Sequence, residues 1–595
     1  MRTASRLRAL TTLRGALFSA IAACCTFSLA AVPNPGGECS FGPGVSSAKW
    51  RDQEVWAWKK ICSGHVANLR DYERDRPPGH ATTSGDQSSL SPAFLDWVIV
   101  TTSSRASLKA VDINGARFEQ TVDLSNAKLS KALVLTQCQF DEDLILSQLS
   151  TDNLISVASS HVTGTTDMRS VRAASRIVMD NFSSDSNVKL TDAEIGGDLS
   201  LANVNIHGAL GMGAIRVKKS IVLTGGRFSS LDLTDAQIND ELAFHGARVS
   251  GNVQLSGVEI GRDAFFDSGT AFSKNVVLNS AKIAGQLVFQ DVSIGGMLSL
   301  EGVSVGGSLL MRNARLAAQT TMPYVSVAGN LEISSGGSYG SIDLTGARVS
   351  QGLRLGSDRH EAPAWRNGAV LILRNAVARD IQDRRRCSGL GQHVLCTDGW
   401  PSIIDLSGFR YENPSTLDVQ NCTPEDCSDM SRRSSEWWLG WLARQRHFDP
   451  QSYSQLSVML HKISMDDEAI DVLYAKKYIE RGSANPVDKL FLVLYALFVG
   501  YGLHIWYVLW WVVGFILLGA LVLRLSGEGV KNGLPVGLAF SSDMLLPVIQ
   551  LREAHYQIDL RGWSRYYFYF HKVMGYVLGS FLLAGLAALV TDPFR

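Results

Sequence analysis

The sequence predicts a mainly β chain: a right-handed, quadrilateral β-helix (solenoid) of ~22-residue coils, with helical flanks and a C-terminal α-helical membrane region. Three observations predict it. Apolar residues recur at positions 3, 5, 8 and 10 of an 11-residue period. Glycine is abundant at 54 and proline scarce at 16, the balance of a chain with many tight corners and few disordered linkers. Residues 505–523 form a run of 19 without a charge, long enough to cross a bilayer.

The period is clearest in Gly197–His207, Gly251–Gly261, Gly285–Gly295 and Gly296–Gly306. In the first, Leu199 and Leu201 alternate, as do Val204 and Ile206; in the last, Leu298 and Leu300 alternate, as do Val303 and Val305. An i, i+2 pair faces one side of a short strand, whereas on a helix it would splay around the axis. The gaps between pairs hold Gly, Ser, Asn and Asp, so each pair is followed by a corner. A chain that turns this often and always buries the same positions must coil, and two 11-residue units make one four-sided coil. The pattern runs from Val111 to Val419, with slippage near 150–190 and 356–368, and bounds a solenoid over 107–420. At ~4.8 Å per coil, roughly a dozen coils stack to ~60 Å. Cys138 falls on position 8 of Lys131–Asp141 and is expected to be a small core residue.

The first 30 residues carry a basic start (Arg2, Arg6, Arg8, Arg14), an apolar stretch over Ala16–Ala31 and a small-x-small site at Ser28-Leu29-Ala30. That is a secretory signal peptide. A lipoprotein box at Ile21-Ala22-Ala23-Cys24 or an uncleaved anchor are the alternatives, and each exports the repeat region. Six further cysteines fall into three short-range candidate disulfides: Cys39 with Cys62, Cys387 with Cys396, and Cys422 with Cys427. Such pairs suit an oxidising compartment, and none has the double Cys-x-x-Cys spacing of a zinc site.

Residues 31–106 form a helical cap, with Trp50, Val55, Trp58 and Ile61 at helical spacing and a second helix opened by Leu90-Ser91-Pro92. A cap is needed because an open coil exposes strand edges. Residues 430–482 form a helical hairpin linker: a Trp-rich amphipathic stretch over 435–446 opens it, and 450–464 and 466–481 make the hairpin. Residues 488–595 form the membrane region: an interfacial segment over 490–503 that breaks at Gly500-Tyr501-Gly502, and spans at 505–523 and 573–590. Arg524, Lys531, Arg552, Arg561, Arg565 and Lys572 lie between the spans, whereas only Arg595 lies beyond them. The charge bias puts the loop in the cytoplasm and the solenoid in the periplasm of a bacterial inner membrane. Gly575-x-x-x-Gly579 allows close helix packing and, with it, a homo-oligomer.

Small-before-aliphatic pairs such as Ala127/Leu129, Ala247/Val249, Ala281/Ile283 and Ala347/Val349 make the repeat resemble the pentapeptide-repeat proteins, although its period is 11 rather than ten. With the segments 450–477, 498–522 and 539–549, the chain resembles a group of bacterial solenoid membrane proteins. Some of these are labelled membrane-associated oxidoreductases. No motif in this chain supports that label, so the resemblance implies an architecture and not an activity.

Lys+Arg and Asp+Glu are both 56, and a chain of zero net charge is a poor match for nucleic acid. There is no phosphate-binding loop, dinucleotide turn or zinc-ligand spacing, and no Gly-x-Ser-x-Gly elbow in a strand-to-helix setting. Catalytic, cofactor-binding and metal residues are therefore expected to be none. The basic and acidic run Asp380, Asp383, Arg384, Arg385 and Arg386 is expected to be a solvated insertion. One acid stands apart: Asp543 lies in an apolar segment, 534–549, that either dips into the bilayer or lies on it. An intramembrane acid is a functional candidate. The expected function is a non-catalytic binding or scaffolding module for a protein or envelope polymer. The alternatives are a channel-like or transport-accessory protein built on 505–590, and a polysaccharide-acting β-helix enzyme.

Overall fold

The computed structural model describes residues 50–75, 88–103, 110–357, 360–384, 386–388, 395–414, 430, 433–483, 485–502, 506–534, 537–546 and 551–590. The signal segment, Cys39, Cys422 and Cys427 lie outside them.

From Ala110 to Pro414 the chain winds into a parallel β-solenoid of about twelve coils. Most strands are only two residues long, and each pairs with the strand one coil, usually 22 residues, ahead. The pairings form four ladders. They run through Arg172–Ala173, Ile177–Val178, Ser183–Ser184 and Val188–Lys189, called here ladders one to four. The coil tolerates a residue more or less: Arg216 pairs with Gln237 and Ile260 with Ile283.

The 11-residue period has a backbone cause. Asn126, Gln137, Gln148, Ser159, Ser170 and Asn181 succeed one another at that interval, all left-handed with φ between 50° and 60°. Every half-coil thus ends in one left-handed corner, a conformation costly for most residues and cheapest for Gly, Asn and Asp. Inside, aliphatics stack in columns. Phe244, Phe266 and Phe289 form a face-to-face stack at 5.0 and 4.8 Å, with Phe272 edge-on.

Across 150–190, where the sequence pattern slips, the coils stay regular. The interior positions there carry Thr151, Thr166 and Ser184, and Ser160 joins them, all buried. Ser160 donates to the Leu135 carbonyl at 3.0 Å and accepts from the Cys138 amide at 3.0 Å, so a hydroxyl substitutes for an aliphatic without an orphaned polar group. The second expected slip is a true enlargement: Ile342 pairs with Leu371, so this coil is seven residues longer. Cys138 is buried and free, and burial pushes its thiol up to about 12. Its thiol should resist a water-soluble thiol reagent in the folded chain and react fully once the chain is unfolded in urea. Rapid labelling of the native protein would contradict its place in the core.

Both ends of the column are closed. Helices α1 (Asp52–Cys62) and α2 (Pro92–Ser103) cover the first coil. Glu54 of α1 accepts from the Ser91 amide and hydroxyl at 2.8 and 2.6 Å, which fixes the start of α2. Ala67–Asn68 pairs with Ile113–Asn114 and extends the sheet over the end coil. At the other end, α3 (Ser435–Leu442) buries Trp441 against Trp400 and Tyr411, with Trp438 buried edge-on to Trp441. Helices α4 (Pro450–Lys462) and α5 (Asp466–Ser483) form a hairpin, and Gln455 of α4 donates to the Tyr411 carbonyl at 2.6 Å. These helices therefore plug the last coil and do more than link it. Helix α3 stops at Leu442, short of the expected Arg446, where Arg444 turns to make a two-pronged ion pair with Asp398.

Two buried ion pairs stiffen the late coils. Asp383 is not solvated as expected. It is 1 % exposed and accepts from both terminal nitrogens of buried Arg433, because the closing helices bring residue 433 over the coil end. Glu332 is also buried. Burial alone would raise its pKa, but two bonds from Arg312 at 3.0 and 2.8 Å and one from Ser334 at 2.7 Å hold it below the ordinary value of 4.5. A depressed carboxyl stabilises the fold above its unfolded pKa and loses that contribution as pH falls through the folded one. Acidifying the full chain in detergent from pH 7 to pH 3 should therefore weaken the fold at this site. Glu332→Gln should shrink the acid-dependent part of the urea midpoint shift, and an unchanged shift would contradict this role.

Beyond the hairpin come α6 (Pro486–Val499), α7 (Trp506–Ser526), α8 (Leu538–Leu545) and α9 (Trp563–Val590). Helix α6 ends at Gly500, whose left-handed φ of 55° caps it. Helix α7 is long and apolar enough to cross a membrane. Helix α9 includes residues 573–590, expected as a second span, but among the described residues only α7 is long and apolar enough to cross a membrane.

Candidate functional site

The outward side of ladder one carries a trough along the solenoid. An unbroken pairing runs Lys128, Ser150, Arg172, Glu194, Arg216 and Gln237, then onward through Glu259, Lys282, Ser304, Ser326 and Arg348 to Val377 and Arg410. In each strand the next residue points inward, and the one after it begins the corner. Where that corner residue is small, a depression opens beside the long outward side chains. Three stretches of depression, of about 740, 790 and 560 Å³, lie on this same ladder.

Coil stacking explains the small corners. A Cβ at Gly196 would sit 2.1 Å from the Ala174 carbonyl oxygen of the preceding coil, and at Gly261 or Gly306 it would meet the carbonyl of Asn239 or Ala284 at 2.2 Å. At these three corners the backbones approach so closely that no side chain fits, whereas Asp152, Lys218, Asn239, Arg379 and Glu412 project from other corners of the same column.

The walls are charged and solvated. Arg172 and Arg216, with side chains 70 % and 57 % exposed, share one carboxylate, Glu194, at 3.6 and 3.3 Å. Lys282 donates to Glu259 at 2.9 Å, and that bond raises its pKa, so it stays charged. Exposed pairs of this kind contribute about 0–1 kcal/mol, so their cations can turn to a ligand at little cost. The opposite sign collects on ladder four, whose outward positions include Asp123, Asp167, Asp232, Asp343 and Asp405. A chain of zero net charge thus segregates its charge by face.

Asp543 lies on α8, packed between α7 and α9, and is 1 % exposed. Its carboxylate accepts from the Leu551 and Arg552 amides at 2.5 and 3.1 Å and pairs with His555 Nδ1 at 2.6 Å. It therefore gathers the chain beyond α8. Two residues before it, Ser541 lies beside His571 of α9, whose Nε2 is 3.1 Å from the Ser541 carbonyl oxygen and whose Nδ1 is 3.2 Å from the Tyr567 hydroxyl. Glycines admit α8: a Cβ at Gly519 would lie 2.1 Å from Ser541 Oγ, and one at Gly575 would lie 1.7 Å from the Leu545 carbonyl oxygen. Gly575 of the Gly-x-x-x-Gly pair is thus used within the chain, whereas Gly579 meets nothing within 4 Å.

Of the candidate cysteines, Cys62 ends α1, half-buried, and is not among the free thiols. Cys387 and Cys396 stand directly opposite in a two-stranded antiparallel hairpin. Among the described residues no group of three or more His, Cys, Asp or Glu is arranged to hold a metal ion. Sequence reasoning identifies Asp543 and misses the trough. The signal for the trough is nonetheless present: position 9 of alternate units forms its own column, with Glu259 and Ser304 on ladder one, whereas Asn205 and Ser293 stand on ladder three.

Comparison with family models, with curated proteins and with solved structures returned no match.

Proposed function

We propose that this chain is a membrane-anchored, exported binding module whose right-handed, four-sided solenoid holds an extended protein or envelope polymer in the ladder-one trough. The observation that carries the proposal is the trough itself: three charge-walled depressions on one ladder, on a scaffold whose core is continuous from cap to cap. An extended ligand suits a surface of this shape because stacked coils repeat the same contacts. Anchoring rests on α7, with α9 as the second span. Export to the periplasm rests on the basic-apolar start, on the charge bias around the spans and on the short-range spacing of Cys39 and Cys62, Cys387 and Cys396, and Cys422 and Cys427 as candidate disulfides. No catalytic residue or cofactor is assigned. The channel alternative asks Asp543 to serve as a pore acid, and that would require it to leave two amides and His555.

Photo-crosslinking side chains placed at Ser150 and Ser304 in the trough, and at Ser183 on ladder three as control, test the reading in intact cells. Adducts from the trough positions alone are expected. Equal adducts from Ser183, or none from the trough, would contradict it.

A further inference from the structure

We infer that the trough binds an acidic polysaccharide, recognised by its anionic groups at intervals of one disaccharide; this deepens the binding-module reading and rests on it. The first argument is the sign of the walls. Lys128, Arg172, Arg216, Lys282, Arg348 and Arg410 stand on the outward positions of ladder one, with Lys218 and Arg379 beside them at the corners. Against these eight cations stand four acids, Asp152, Glu194, Glu259 and Glu412. The face is basic on a chain that is neutral overall, while ladder four is rich in aspartates. Ladder three also carries outward arginines, Arg117, Arg227, Arg248 and Arg315, but it has none of the three depressions, so the trough is where a basic row and a groove coincide.

The second argument is spacing, which decides among anionic chains. Lys128, Arg172 and Arg216 occur on every second coil, with Ser150 and Glu194 between them; the spacing belongs to this first stretch of the trough, since the next position in step is Glu259. Two coils are ~9.6 Å, twice the ~4.8 Å between neighbouring strands. A single nucleic-acid strand carries a charge about every 3.4 Å, so its phosphates would be forced against Glu194. An extended acidic peptide presents same-side residues about every 6.6 Å and falls out of step with the cations. A linear glycan with one carboxylate or sulfate per disaccharide repeats on the two-coil scale. Its uncharged sugar then lies over Ser150, or over Gln237 and Asn239, whose side chains can hydrogen-bond hydroxyls. The glycine corners at Gly196, Gly261 and Gly306 leave room for rings beside them.

The test uses the full chain in detergent with three probes: hyaluronan (one carboxylate per disaccharide), neutral dextran and polyglutamate. Hyaluronan should bind saturably and weaken with added salt. The double variant Arg172→Ala/Arg216→Ala should lose about tenfold in affinity, whereas Arg248→Ala on ladder three should change nothing. Both arginines of the double variant are well exposed, and an unchanged urea midpoint confirms that it folds. Polyglutamate binding as tightly as hyaluronan, or hyaluronan binding that ignores the double variant, overturns the proposal. Dextran binding equal to hyaluronan, with a fluorophore at Ser150→Cys shielded by both, overturns the acidic class and leaves the binding-module reading standing. A Ser150→Cys fluorophore shielded by no polymer overturns both.

Discussion

Arg433→Met should destabilise the solenoid by about 3–5 kcal/mol, because it leaves the Asp383 carboxylate buried without its partner. Both side chains are almost wholly hidden, and the pair joins the last coils to the segment that leads into α3. Burial pushes the Asp383 carboxyl up, and the Arg433 guanidinium opposes that push. Without Arg433 the carboxyl must be protonated to stay inside. A group with a raised folded pKa stabilises at low pH and loses that contribution as pH rises. The variant's deficit should therefore be largest at neutral pH and shrink on acidification. Asp383→Leu/Arg433→Met should recover most of the loss, since two apolar groups of similar volume need no counter-charge. Urea unfolding of the full chain in detergent at pH 5 and pH 8 measures this. A single variant with wild-type stability at both would show that the pair does not hold the end of the column.

Phe266→Ala should cost about 3–5 kcal/mol, the range for emptying a large aromatic site in a packed interior. Phe266 stacks between Phe244 below and Phe289 above, and Phe272 meets its edge. Removing the middle ring leaves a void that neighbouring coils cannot close, since each is held in register by the four ladders. Because a solenoid couples only nearest neighbours, the loss should be local. Hydrogen exchange should accelerate in the coils between Leu242 and Phe289 and remain slow near Ile155 and Leu199. Phe266→Leu should cost clearly less. Uniform acceleration along the whole column would contradict the local coupling.

Much of the fold is legible because the determinants of each coil are local. A two-residue strand needs only one inward residue on each side of it, and the corner needs one left-handed position, so the period survives wide variation elsewhere. It fades at 150–190 because Thr151, Thr166 and Ser184 are polar yet interior, and periodicity of hydrophobicity cannot distinguish an interior hydroxyl from a surface one. The closing role of α3 is hidden for a different reason. Trp438 and Trp441 suit a membrane surface as well as a coil end, and only the placement of Trp400 and Tyr411 decides between them. The Asp383–Arg433 pair spans 50 residues and leaves no local trace. The trough depends on every second coil, so it emerges only once alternate units are separated. Asp543 is visible as an acid in an apolar segment, but its partners, eight, nine and twelve residues further on, depend on how the chain turns back.

The central claim, an exported solenoid tied to a membrane, is tested most directly by accessibility mapping in intact cells. Reporters would be fused after Asp449, within residues 526–532, and at the C-terminus. The account predicts an outside, inside, outside pattern, with the solenoid facing the envelope polymers it is proposed to hold. A solenoid on the cytoplasmic side would contradict the signal, disulfide and charge-bias arguments together, and would turn the search for a ligand inward.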